Sequence, residues 1–193
     1  MKLKQMLANK KVYTSIMGVD MSSKTIAYSL FCKQEEWRLK QRGKIEISGE
    51  STFEKCGDVV DKFSGLVKAL NPEMIIFESS TYVNNNAVMK QLSMVFGAAA
   101  GAATRYGVEV LDIPPVTWQS YIGNPPNSKK YKQQFMVENP GITDSKAKVM
   151  MREERKNRTI GFVVDNIGIE PEDDDVADAI CVGYYAVKNL GGE

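Results

Sequence analysis

The chain has 193 residues, enough for one domain with a sizeable core. Its formal net charge is only +1, and it contains no histidine, which excludes Ser-His-Asp and Cys-His nucleophilic sites, histidine acid–base chemistry and histidine metal ligation. Three widely spaced cysteines (Cys32, Cys56, Cys181) form neither a disulfide framework nor a zinc motif, and no run of 18 apolar residues is present to span a membrane.

Reduced core thiols and a cytoplasmic location are therefore expected. Residues 1–14 carry lysines without a long apolar stretch and read as a flexible basic arm ahead of a single domain over 15–193. Ser15–Val19 is a β-prone run ending in Asp20. Ser22-Ser23-Lys24 reads as a turn, Thr25–Cys32 alternates as a second strand, and Trp37–Ile47 supplies a third, which makes an antiparallel meander. Phe53, Cys56, Val60, Phe63, Val67 and Leu70 recur at helical spacing, predicting a helix over 52–70 that Asn71-Pro72 stops. Met74–Phe77 is wholly apolar, as a central buried strand should be.

A long helix follows from about Asn86 to Tyr106. Its second half is nearly all Gly and Ala, which lets another backbone approach, either from the sheet or from a second subunit. Gly107 ends it. Val108–Ile113 is a fifth strand closed by Pro114-Pro115. Residues 123–144 read as a loop with a short helical piece over Ser128–Val137. Ser145–Asn166 is a Lys- and Arg-rich helical region with a candidate break near Gly161. Asp174–Leu190 is the last helix, with Val176, Ile180, Gly183, Val187 and Leu190 as its apolar stripe. This order is an α/β pattern. The right-handed crossover rule sets the Met74 strand parallel to the first strand, with Asp20 and Glu78 side by side.

Charge is uneven. Ser128–Arg158 holds nine Lys or Arg and four acids, whereas Asp165–Asp178 holds seven acids and no base. A basic flank beside an acidic pocket suits a phosphate-backbone ligand at a metal centre; the plainer alternative is a solvated helix plus an acidic loop. Asp175 and Asp178, three apart, share one helix face. Individually, Asp174 and Asp175 also suit helix capping, and Asp20 suits a turn. Glu78 directly follows a buried strand and needs a partner, either a cation such as Lys90 or Arg105, or a metal. Together the four carboxylates offer oxygen ligands to hard cations. Two Mg²⁺ ions about 4 Å apart, with Mn²⁺ as the expected substitute, would then bridge a scissile phosphate.

At these residues the chain resembles the RuvC family of Holliday junction resolvases, in the RNase H-like superfamily. The landmarks run from Gly18 to about Lys188: Gly18-Val19-Asp20 and the hairpin strand at Thr25–Tyr28, Ile75-Ile76-Phe77-Glu78, the small-residue helix, and Asp175-Val176-Ala177-Asp178-Ala179. The resemblance implies an RNase H-like mixed five-stranded sheet, a three-strand antiparallel meander plus two parallel strands, flanked by helices. It implies Asp20, Glu78, Asp175 and Asp178 as catalytic metal ligands. It implies a homodimer touching through the 86–106 helix, and symmetric incision of branched, four-way DNA leaving 5′-phosphate and 3′-hydroxyl ends. Tyr82 corresponds to an aromatic residue near the junction centre, and Lys129 and Lys130 to a lysine position of the family.

Lys132, Lys146, Lys148, Arg152, Arg155, Lys156 and Arg158 complete a reserve of phosphate contacts. Recombination or replication proteins are candidate partners. The chain departs from the family pattern at Met21–Lys24, where a glycine is usual, and at Trp118-Gln119, where a basic residue is expected. It departs again in the long stretch after Gly123, which is closer to phage-borne or organellar members than to the cellular enzyme. Competing readings are a RuvC-like nuclease acting on RNA or flaps, a junction-binding protein without catalysis, and an actin- or hexokinase-type nucleotide-binding module. The short chain and the absence of a second phosphate-binding glycine loop disfavour the last.

Overall fold

The computed structural model describes residues 12–79 and 85–191, so Tyr82 and the first eleven residues of the arm lie outside the described residues. Five strands form one sheet: β1 (Ser15–Met21), β2 (Thr25–Lys33), β3 (Trp37–Glu46), β4 (Met74–Glu78) and β5 (Glu109–Ile113). Their order is β3-β2-β1-β4-β5. β1 pairs antiparallel with β2, and β2 with β3; β4 runs parallel to both β1 and β5. This is the expected RNase H-like mixed sheet. The described helices are α1 (Thr52–Leu70), α2 (Asn86–Thr104), α3 (Pro115–Tyr121), α4 (Lys129–Glu138), α5 (Asp144–Ile167) and α6 (Asp174–Asn189).

Strand alternation sends successive side chains to opposite faces, and both faces are covered. Ile16, Met74 and Ile76 pack with α6, through Ala179, Ile180 and Val187. Met17, Val19, Ile75 and Phe77 pack on the other side with α1 and α2, through Val59, Phe63, Val95 and Ala99. Phe77 stacks at 5.1 Å on Phe96 and 5.8 Å on Phe63. Burial of each such large side chain contributes roughly 1.5–3 kcal/mol.

Local signals explain the helix ends. Ser51 and Glu54 close a capping box on α1, and Asn71 ends that helix in the left-handed region at φ 45°. In α2, Ala99, Ala102 and Ala103 are buried, and the helix packs on α1. The small residues therefore serve packing within the chain first. Gly97 and Gly101 face outward with open space around them.

The structure corrects several expectations. Pro114-Pro115 ends β5 but also opens α3, with Pro115 in the first turn, where a missing N–H costs nothing. α5 runs unbroken through Gly161 for 24 residues. Cys181 is buried, but Cys32 and Cys56 are only half-buried. Tyr13 is buried and donates its hydroxyl to Glu109 at 2.7 Å, and the Thr14 amide donates to Glu73. Among the described residues no helix is long and apolar enough to cross a membrane.

Candidate active site

β1 and α6 meet backbone to backbone. A Cβ on Gly18 would strike the Gly183 amide and the Ala179 carbonyl, and a Cβ on Gly183 would lie 2.6 Å from Ser29 Oγ and 2.8 Å from the Phe31 ring. Ser29 Oγ also donates to the Ala179 carbonyl at 2.8 Å. The two glycines thus let α6 lie across the sheet, with its N-terminus over the end of β1. Asp20 stands at that end. Glu78 ends the parallel neighbour β4, whose Phe77 pairs with Val19.

Asp20, Glu78, Asp174, Asp175 and Asp178 line one cavity of about 460 Å³. Convergence of residues 150 positions apart in sequence is therefore a property of the fold. Burial, then the charges of Glu78, Asp178, Asp175 and Asp174, push the Asp20 carboxyl well above the usual carboxylate range. Burial and then Glu78 and Asp174 push Asp178 up to about 8, with Arg155 opposing. Glu78 is also raised by burial, against the downward pull of its hydrogen bond to Trp118 and of Arg155.

Each remaining acid has its own partner. The buried Trp118 indole donates Nε1–H to Glu78 Oε2 at 2.7 Å, so the partner of Glu78 is neither Lys90 nor Arg105. Lys44 on β3 bridges Asp173 at 2.7 Å and Asp175 at 2.5 Å. Lys156 pairs with Asp174 at 2.8 Å. Helix capping falls to Asp173, which accepts the Val176 amide at 2.9 Å, and this leaves Asp174 and Asp175 free of that duty. Burial raises the Asp173 carboxyl, but Lys44 and that amide outweigh it and hold the group below its ordinary range.

The opposite wall is basic. Arg152, Arg155, Lys156 and Thr159 from α5 face the acids, with Pro115 and Gln119 from α3. Arg152 and Arg155 also line a second cleft of about 410 Å³, together with Lys129, Lys132 and Lys148, so the two spaces share a wall. Lys132 and Lys148 both pair with Asp144. Lys130 is exposed and lines neither space. Asn124, 3% exposed, fixes α5 here: it donates to the Arg155 carbonyl and to Thr159 Oγ1, both at 2.9 Å, and accepts from Arg158 Nε.

Comparison with solved structures shows which fold this is. RuvC of Thermus thermophilus, in complex with a Holliday junction substrate, superposes with a TM-score of 0.66 at 13% identity, over 93% of this chain and 98% of that one. The yeast mitochondrial Holliday junction resolvase gives 0.60 at 14%, over 97% and 85%. The fowlpox virus resolvase, in complex with Holliday junction DNA, gives 0.55 at 15%, over 91% and 98%. The chain has the RuvC fold. No protein-family model matches the sequence, and no curated protein sequence does.

On this RuvC fold the donor set is all oxygen, five carboxylates with no nitrogen or sulfur ligand, and that chemistry fits Mg²⁺ or Mn²⁺. The burial and mutual repulsion that raise Asp20 and Asp178 fit a cation in the same way. Among the described residues, no three acidic or cysteine side chains are already gathered as a formed metal cluster. Glu78 is turned to Trp118, Asp175 to Lys44 and Asp174 to Lys156. Sequence reasoning missed Trp118, Lys44 and Asp173. Trp118-Gln119 was visible only as a departure from a pattern.

Proposed function

We propose that this protein is a structure-specific DNA endonuclease that resolves four-way junctions by metal-dependent phosphodiester hydrolysis. One observation carries the reading: the carboxylates of β1, β4 and α6 share a cavity whose far wall is a row of cations, on a RuvC fold. Asp20, Glu78, Asp175 and Asp178 would hold two Mg²⁺ ions, or Mn²⁺ in their place. When bound, these supply an activated water and stabilise the leaving 3′ oxygen, which gives 5′-phosphate and 3′-hydroxyl ends.

The chain's own residues do the rest. Trp118 occupies one oxygen of Glu78 and leaves the other free. Arg152 and Arg155 draw the sugar–phosphate backbone toward the acids, and Lys129 and Lys132 extend that path along the adjoining cleft. Lys130, at the start of α4, is a peripheral contact, and Lys156 releases Asp174 when it turns to a phosphate. Tyr82 is the candidate for the junction centre. Paired incisions call for two sites, hence a homodimer, with the open face of α2 at Gly97 and Gly101 as its contact.

Cleavage of labelled four-way junctions, flaps, linear duplexes and RNA–DNA hybrids tests this, in Mg²⁺, Mn²⁺ or chelator. The expected result is paired, metal-dependent incision of the junction. Asp20→Asn, Glu78→Gln, Asp175→Asn and Asp178→Asn should bind the junction yet lose cutting on the order of a hundredfold or more, about 3 kcal/mol of transition-state stabilisation. Equal cutting of duplex and junction would remove the structural specificity, and faster turnover of hybrids or flaps would move the substrate class.

A further inference from the structure

Gln119 is 5% exposed, on the one turn of α3 that also supplies Trp118. It lines the carboxylate cavity. Its main-chain carbonyl accepts the Asn124 amide at 2.8 Å, which fixes its backbone, but its side-chain amide forms no hydrogen bond with the described residues. Its polar atoms are not sealed from solvent: among the described residues the buried side-chain group left unpaired is the Trp37 indole, so the Gln119 amide, without a protein partner, stays open to the cavity and offers its donors there. The neighbouring buried polar groups are committed elsewhere: Asn124 and Thr159 bond each other and α5.

We infer that Gln119 is a substrate-binding residue, its Nε2–H donating to a phosphate oxygen of the DNA strand seated between the acids and α5. The inference rests on the nuclease reading above. Three features of the cavity select this ligand. The acids opposite reject a free carboxylate and accept a phosphodiester only beside cations. Arg152 and Arg155 from the adjacent wall supply fixed positive charge. A neutral amide can then donate to the phosphate without competing for the metal, which a lysine at this position would do by pairing with Asp20 or Glu78. In this chain the cationic role at the cavity thus belongs to α5, and α3 contributes an uncharged donor.

The test compares Gln119→Leu, which keeps the volume and removes the amide, with Gln119→Glu, which faces the phosphate with a further acid. Three quantities are measured: the single-turnover cleavage rate on a four-way junction, junction affinity by fluorescence anisotropy with Ca²⁺ replacing Mg²⁺, and the Mg²⁺ concentration giving half-maximal rate. Loss of one hydrogen bond to a charged acceptor predicts an affinity and rate about tenfold lower for Gln119→Leu, with the Mg²⁺ midpoint and Tm unmoved. Gln119→Glu should fall further, by about a hundredfold. Both variants binding and cutting within about twofold of the parent would overturn the inference. So would a rate loss accompanied by a shifted Mg²⁺ midpoint, which assigns Gln119 to the metal site. A parent protein that binds the junction but never cuts it defeats the nuclease reading alone, and the anisotropy comparison still judges Gln119. A parent that binds no junction defeats both.

Discussion

Asp178 and Trp118 show how single side chains tune the acidic cavity. The Asp178 carboxyl titrates in the fold at about 8, against 3.8 ordinarily. A folded-state value above the unfolded one means that the folded chain binds more protons, so this contribution is fully present below about pH 4 and is lost as pH rises through 8. The metal-free protein should therefore lose thermal stability over that window. Asp178→Asn should flatten the loss and raise Tm at pH 8 by about 5 °C, read by scanning calorimetry, while abolishing cutting. Mg²⁺ should stabilise the parent more at pH 8 than at pH 5.

Trp118 makes the complementary case. Trp118→Phe keeps the buried ring but removes the donor that holds Glu78 Oε2. The expected outcome is a raised Mg²⁺ midpoint and a cleavage rate down by about tenfold, with Tm lowered by only a few degrees. An unchanged midpoint would reduce Trp118 to packing. The tryptophan was unreadable beforehand because an indole donor leaves no local pattern; its partner lies 40 residues away.

Between elements, the deciding contact is β1 on α6. Gly18 and Gly183 admit no side chain, since each would meet backbone or a fixed core group. Gly18→Ala and Gly183→Ala should each cost about 3 kcal/mol or more, read as a lower urea midpoint at constant slope. The strands and long helices were legible because apolar period and turn residues agreed, as in Ile75–Phe77 ahead of Glu78 and in Phe53–Leu70. The crossover rule also placed β4 beside β1 correctly, and with it Asp20 beside Glu78. α3 was not legible: seven residues opened by a proline carry too few turns for a periodic signal. The capping role of Asp173 was hidden within three consecutive aspartates, any of which could start α6.

Across the whole molecule, charge is sorted by element. Acids gather at the ends of β1 and β4 and the start of α6, and cations gather on α5 and α4. This sorting was visible as two blocks of opposite sign along the chain. What the blocks could not give was the clamp at Asn124 that holds α5 against the acids. Association is the remaining property at this scale. Sedimentation should give a dimer at micromolar concentration, and Gly101→Lys, at a position open to solvent, should yield monomers that nick once without losing the fold. Sedimentation of Gly101→Lys as a dimer would move the contact elsewhere.

Asp20 and Glu78 are made before Asp174, Asp175 and Asp178, which lie on the last described helix. A nascent fragment that stops short of α6 owns two of the five acids and lacks the helix that roofs the sheet over Ile16 and Ile76. Such a fragment has no closed carboxylate cavity, so the acidic pocket comes into being only once α6 has been added to the sheet.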